Sequence, residues 1–171
     1  MIFMSQSGIT DPGREGDWDR WYVEHLDIMV SVPGVVSAQR FKTVTPGHPP
    51  SLAMYSVASP SVFEDPYYQS IRGMGEWLAL IDRQHYRRNL FEGLDHAPKV
   101  PEDRVLLVAD RHAPDDDLAG IDWTWLQCVG IDRSIPYRGV AIVDPAAARA
   151  LTPTHSIALY RPSTPCHKPR E

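Results

Sequence analysis

The sequence predicts an α+β chain built from two tandem ferredoxin-like repeats, the second truncated. Three observations carry that expectation. The stretch Asp17–Lys42 reads as an amphipathic helix, a Pro-Gly turn and a strand. Short apolar strands at Ile2–Ser7 and Ser51–Ala58 flank it. A fixed offset of 105 residues then carries Asp17-Trp18 onto Asp122-Trp123, Gly34-Val35 onto Gly139-Val140, and SLAMY at Ser51 onto SIALY at Ser156. Each copy reads strand, helix, strand, strand. The first adds a second helix, close to the ferredoxin-like pattern. Two such sheets cover each other by packing face to face, so the linked pair would mimic a dimer.

The elements follow in order. Ile2–Ser7 is a strand, and Asp11-Pro12-Gly13 supplies turn chemistry in the loop after it. Asp17 is a candidate N-cap. Trp18, Trp21, Tyr22, Leu26, Met29 and Val32 then recur at helical spacing, with His25 among them. Pro33-Gly34 turns the chain into the strand Val35–Val44. Ser51–Ala58 is the next strand. Tyr67, Ile71, Met74, Leu78, Ile81 and His85 mark a second helical face, interrupted at Gly73 and Gly75, with Arg83, Arg87 and Arg88 on its solvated side. Further strands are expected at Val105–Ala109, Gly139–Val143 and Ile157–Tyr160, and a short helix at Ile121–Ile131. The domain reading is residues 1–95 as the first repeat, 96–103 as a linker, 104–162 as the second repeat and 163–171 as a loose Pro-rich tail.

Composition narrows the function. The chain has 171 residues, of which 43% are hydrophobic, enough for a real core. Its formal net charge is -5, with no basic stripe among aromatics, so nucleic acid is not an expected partner. The apolar runs are short and no signal peptide is recognisable, so neither a membrane partner nor export is expected and a cytoplasmic site follows. The two cysteines have no CxxC partner, and the seven histidines form no H-x-H or H-E-x-x-H, so no metal site is expected; no other cofactor is expected either, a single axial histidine for haem (His25 or His85) leaving no sequence signature. Dinucleotide, P-loop and nucleophile-elbow motifs are missing.

His25 is the residue that asks for chemistry. An imidazole on an apolar helix face is either a core histidine bonded to a backbone carbonyl or a proton-transfer group. The 105-residue offset sets Gly130 against His25 and Pro145 against Arg40, so neither side chain recurs. Tyr22 lies one turn before His25. Arg40, on the adjoining strand, is either a surface ion pair or a group that stabilises an enolate or carboxylate. The candidate catalytic residues are therefore His25, Tyr22 and Arg40. Candidate substrate-binding residues are Trp21, Met29, Tyr55, Trp77, Ile81 and His85. Tyr55 and Trp77 also read as scaffold, Tyr55 because the offset repeats it as Tyr160.

Trp21, Tyr22, Glu24, His25, Pro33, Gly34, Ala38, Arg40 and Phe41, followed by Leu52, Ala53, Tyr55, Ser59 and Pro60, resemble the motifs of EthD-like proteins in the dimeric α+β barrel superfamily. The resemblance covers roughly residues 1–95 and departs in the helix, where one residue rather than two separates Tyr22 from Glu24. It implies an intramolecular pseudo-dimeric α+β barrel and a pocket between the helices and the sheet, faced by His25. The expected function is a cofactor-independent lyase or isomerase that moves a proton on an apolar aromatic or polyketide-like small molecule. A cofactor-free monooxygenase and a haem- or small-molecule-binding accessory protein are the alternatives. The expected assembly is a monomer with an internal pseudo-dimer, or a homodimer.

Overall fold

A computed structural model of the chain describes residues 1–151 and 156–170. Its strands are β1 (Ile2–Ser7), β2 (Val35–Lys42), β3 (Ser51–Val57), β4 (Arg87–Glu92), β5 (Val105–Arg111), β6 (Thr124–Ile131), β7 (Tyr137–Val143) and β8 (Ala158–Pro162). They close into one antiparallel barrel in the order β1-β3-β2-β8-β5-β7-β6-β4. The helices are few: α1 (Glu15–Val30), α2 (Pro66–Ile71), α3 (Pro145–Ala150) and some single turns.

This overturns the expected fold class. The chain is not a pair of ferredoxin-like repeats with two sheets stacked face to face as a pseudo-dimer. It is a single β-barrel joined edge to edge. One seam pairs β4 with β6 through Asn89↔Ile131, Leu90↔Gly130, Phe91↔Cys128 and Glu92↔Gln127. The other pairs β2 with β8 through Phe41↔Pro162 and Lys42↔Arg161. Closure leaves no strand at an open sheet edge among the described residues, as stacked sheets would have kept.

The repeat is also of a different kind. Halved, the barrel reads β4-β1-β3-β2 and β8-β5-β7-β6, the same relative order twice. That matches β2 to β6 and β3 to β7. The 105-residue offset instead carries α1 onto β6, β2 onto β7 and β3 onto β8. Gly130 is therefore no counterpart of His25, and Tyr160 is no counterpart of Tyr55. Tyr160 packs inside the barrel, whereas Tyr55 packs outside it beneath α1.

Three local expectations change with it. Ile121–Ile131 is not a helix but leads into β6. Its β-branched and aromatic residues suit a strand, and Trp123 and Trp125 pack against Gly139, where a Cβ would come within 2.9 Å of both rings. The expected second helical face breaks after Ile71. Pro66 starts α2 and the chain then turns at Gly73, where φ is 101°. Leu78 is exposed there rather than buried, and the region ends in strand β4. The tail 163–170 is not loose. Ser163 donates to the Arg40 carbonyl, and Ala38 and His167 exchange backbone hydrogen bonds at 3.0 and 2.8 Å. Residues 152–155 of the expected second repeat and residue 171 of the expected tail lie outside the described residues.

Alternation along each strand divides the core. Ile2, Met4, Phe41, Leu52, Met54, Phe91, Leu106, Leu126 and Tyr160 fill the interior, so the barrel is packed rather than hollow. Phe3, Ala38, Ala53, Tyr55, Val57 and Leu90 face outward and are covered by Trp18, Tyr22, Leu26 and Met29 of α1. Each of these α1 side chains stabilises by about 1.5–3 kcal/mol on burial. Asp17 is not the N-cap. The helix begins at Glu15, and Asp17 sits in its first turn, where its charge opposes the helix dipole favourably. No helix among the described residues is long and apolar enough to cross a membrane.

Candidate functional site

The site lies outside the barrel, between α1, α2 and the outward faces of β1, β3 and β4. Phe3 and Ser5 point to it from β1, Tyr55 from β3 and Arg88 from β4. Tyr22, His25 and Met29 reach it at helical spacing from α1. Tyr68, Arg72 and Met74 close it from the other side. The space is about 30 Å³, room for a water molecule.

His25 is the chemical centre. Its ring stacks on Trp21 with centroids 4.7 Å apart and planes 12° from parallel, and it meets the edge of Tyr22 at 5.9 Å. It makes no hydrogen bond to the described residues, so the backbone-carbonyl partner of a structural histidine is missing. Burial disfavours the imidazolium and lowers its pKa to about 4. The ring is therefore neutral at pH 7.

Phenols and guanidinium groups surround it. Arg88 Nη2 donates to the Tyr68 hydroxyl at 2.7 Å, and its guanidinium lies 5.5 Å from the Phe3 ring. Burial holds Tyr55 well above the ordinary phenol value, the neighbouring Tyr22 and Tyr68 adding to it. Burial also raises Tyr22 and Tyr68, while the charges of Arg40 and Arg88 respectively oppose the shift. All three remain phenols, able to donate hydrogen bonds.

Of the residues proposed from sequence, Tyr22, His25, Met29 and Tyr55 meet at this cavity. Trp21 backs His25 without lining it. Arg40 is elsewhere: wholly buried, it donates to Ser51 Oγ at 3.0 Å and Asp19 Oδ1 at 2.7 Å, and it lies over the Trp18 and Tyr22 rings at 4.6 and 4.1 Å. It is therefore neither a surface pair nor a cavity cation, but a buried clamp that fixes Tyr22 from behind. Trp77 is core, with Arg14 stacked 4.9 Å above it. Ile81 bridges to Ile9. His85 pairs with Asp82 at 3.0 Å, away from the cavity.

Arg88 and Tyr68 escaped sequence reasoning. Arg88 looked like one member of a basic helix face. Reading Arg87–Glu92 as a strand would have set Arg88 and Leu90 on the same face as Phe3. Tyr68 was masked by Tyr67, which fits a helical stripe but is exposed. No group of three or more His, Cys, Asp and Glu suited to a metal occurs among the described residues. Comparison with protein-family models and with curated proteins gives no match.

Proposed function

We propose that this chain is a cofactor-independent enzyme of lyase or isomerase type, in which His25 moves a proton on a small anionic molecule. One observation carries the reading: a neutral imidazole, bonded to no structural partner, opens onto a cavity flanked by a guanidinium and phenols. His25 is ready to accept a proton at pH 7, and a bound anion would offset the desolvation that now disfavours its protonated form. Arg88, with Arg72 at the rim, would hold the anionic end. The Tyr68 and Tyr55 hydroxyls would donate to an enolate or carboxylate oxygen as charge develops there. Phe3, Met29 and Met74 would receive the apolar part of the molecule. A molecule larger than water would need the lining residues Arg72–Met74 to move aside, and Gly73, already at φ 101°, is the position in that segment best able to change its backbone angles. The EthD-like resemblance of the α1–β2 segment belongs to the same proposal, since that segment carries His25.

The test is exchange of acidic C–H protons in D₂O, followed by NMR, over a set of small enolisable carboxylates and phenolates. Wild type should exchange at least one of them, and His25→Gln should slow that exchange by about 10²–10⁴ with an unchanged circular dichroism spectrum. Equal exchange in a folded His25→Gln protein, or no exchange across the set, overturns the proposal.

A further inference from the structure

The barrel interior ends in a second polar site that shares no residue with the first. Gln6 and Arg87 stand opposite each other on β1 and β4, and Asp110 and Arg138 on β5 and β7. Cross-strand partners share a face, and here that face is the inner one. Arg138 is wholly buried. Its Nε and Nη2 hold the two Asp110 oxygens at 2.7 and 2.9 Å, and Nη2 also donates to Gln6 Oε1 at 2.7 Å. Gln6 Nε2 donates to the Tyr160 hydroxyl at 3.2 Å, which in turn donates to the Pro49 carbonyl at 2.7 Å. An ion pair with one partner buried and the other exposed gives little net stability. It does hold a polar wall rigid.

Over that wall a cavity of about 220 Å³ opens, lined by Gln6, Gly47, His48, Arg87, Val108 and Asp110. Asp110 shows 40% of its side chain to solvent, and its oxygens keep lone pairs beyond those that Arg138 uses. Arg87 forms no ion pair among the described residues. Among the described residues, Arg87 and Arg138 against Asp110 leave one positive charge in excess, and His48 is a further titratable group in the lining. An anion on Arg87 restores balance. A zwitterion would not.

We propose that this cavity binds a small hydroxycarboxylate, its carboxylate held by the fork of Arg87 and its hydroxyl donating to Asp110. Gln6 Nε2 has a second hydrogen for the same ligand, and Val108 packs against its carbon backbone. The volume equals about seven water molecules of liquid, enough for a molecule of the size of glycerate.

The experiment is titration of the full-length chain with D-glycerate, followed by amide NMR shifts. Propionate, glycerol and serine serve as comparators. Saturable shifts are expected at the ends of β1, β4 and β5 rather than along α1, with binding at least tenfold tighter than for any comparator. Arg87→Gln should weaken it at least tenfold, and the exposed Arg83→Gln should leave it unchanged. The wild-type comparison stands alone should the Arg87 variant not fold. The proposal is overturned if glycerate does not saturate, if a comparator binds as tightly, if the shifts fall on α1, or if folded Arg87→Gln binds as wild type does.

Discussion

Acid should weaken this fold through His25, and the His25→Gln variant separates that contribution from those of the carboxylates. The folded ring titrates at about 4 because burial disfavours its cation, against about 6.5 when free. Between those values the unfolded chain binds the extra proton, so stability falls as pH drops from about 6.5 and levels off below about 4. At pH 4.5 the unfolded imidazole is almost fully protonated and the folded one only about one-quarter so, which costs about 2.5 kcal/mol relative to pH 7. A domain of this size loses about 2 kcal/mol of stability per molar urea, so the unfolding midpoint should drop by about 1 M. The assay is urea unfolding by tryptophan fluorescence at both pH values, in wild type and in His25→Gln. Carboxylates such as Asp19, held low by hydrogen bonds from Lys42 and Arg40 that outweigh its burial, contribute equally to both proteins and cancel. An equal pH loss in the two proteins would refute the reasoning, since the imidazole would then titrate alike folded and unfolded.

Two further outcomes follow from the geometry. Gly34→Ala should destabilise by about 1–3 kcal/mol, because φ is 87° there and the new Cβ would lie 2.7 Å from Val62 Cγ2; thermal unfolding reads this directly. Ending the chain after Pro162 should cost about 4 kcal/mol, at about 1 kcal/mol for each lost hydrogen bond. It removes the bonds of Ser163, Thr164 and His167 to the backbone of β2, and urea unfolding of the truncated chain measures it.

Legibility followed the range of the forces involved. α1 was readable because Trp18, Tyr22, Leu26 and Met29 obey one period and are all buried. The strands Ile2–Ser7, Ser51–Val57 and Val105–Arg111 were readable as apolar runs between turn residues. Trp123, Trp125 and Cys128 misled because short aromatic segments satisfy helical and strand spacing alike, and only Gly139 on the neighbouring strand decides between them. Arg87 and Arg88 could not be told apart while they were read as helical. As strand neighbours they point to opposite faces, one into the barrel mouth and one towards His25. Barrel closure is set by pairings between residues as far apart as Phe41 and Pro162, and no local pattern records such a choice. Within the site, the His25 side came from the helix period, while the Arg88 side needed the tertiary register.

The short β2–β8 seam has a consequence in time. Every backbone partner of β2 on that side, from Arg161 to His167, is made after the rest of the barrel. During synthesis the edge of β2 therefore stays open until those residues emerge, although β1, β3 and α1 can already pack against one another. Closure depends on pairings between distant segments, which form slowly. Until then the nascent chain presents a bare strand to its neighbours, a state in which aggregation competes with folding and which a chaperone would recognise.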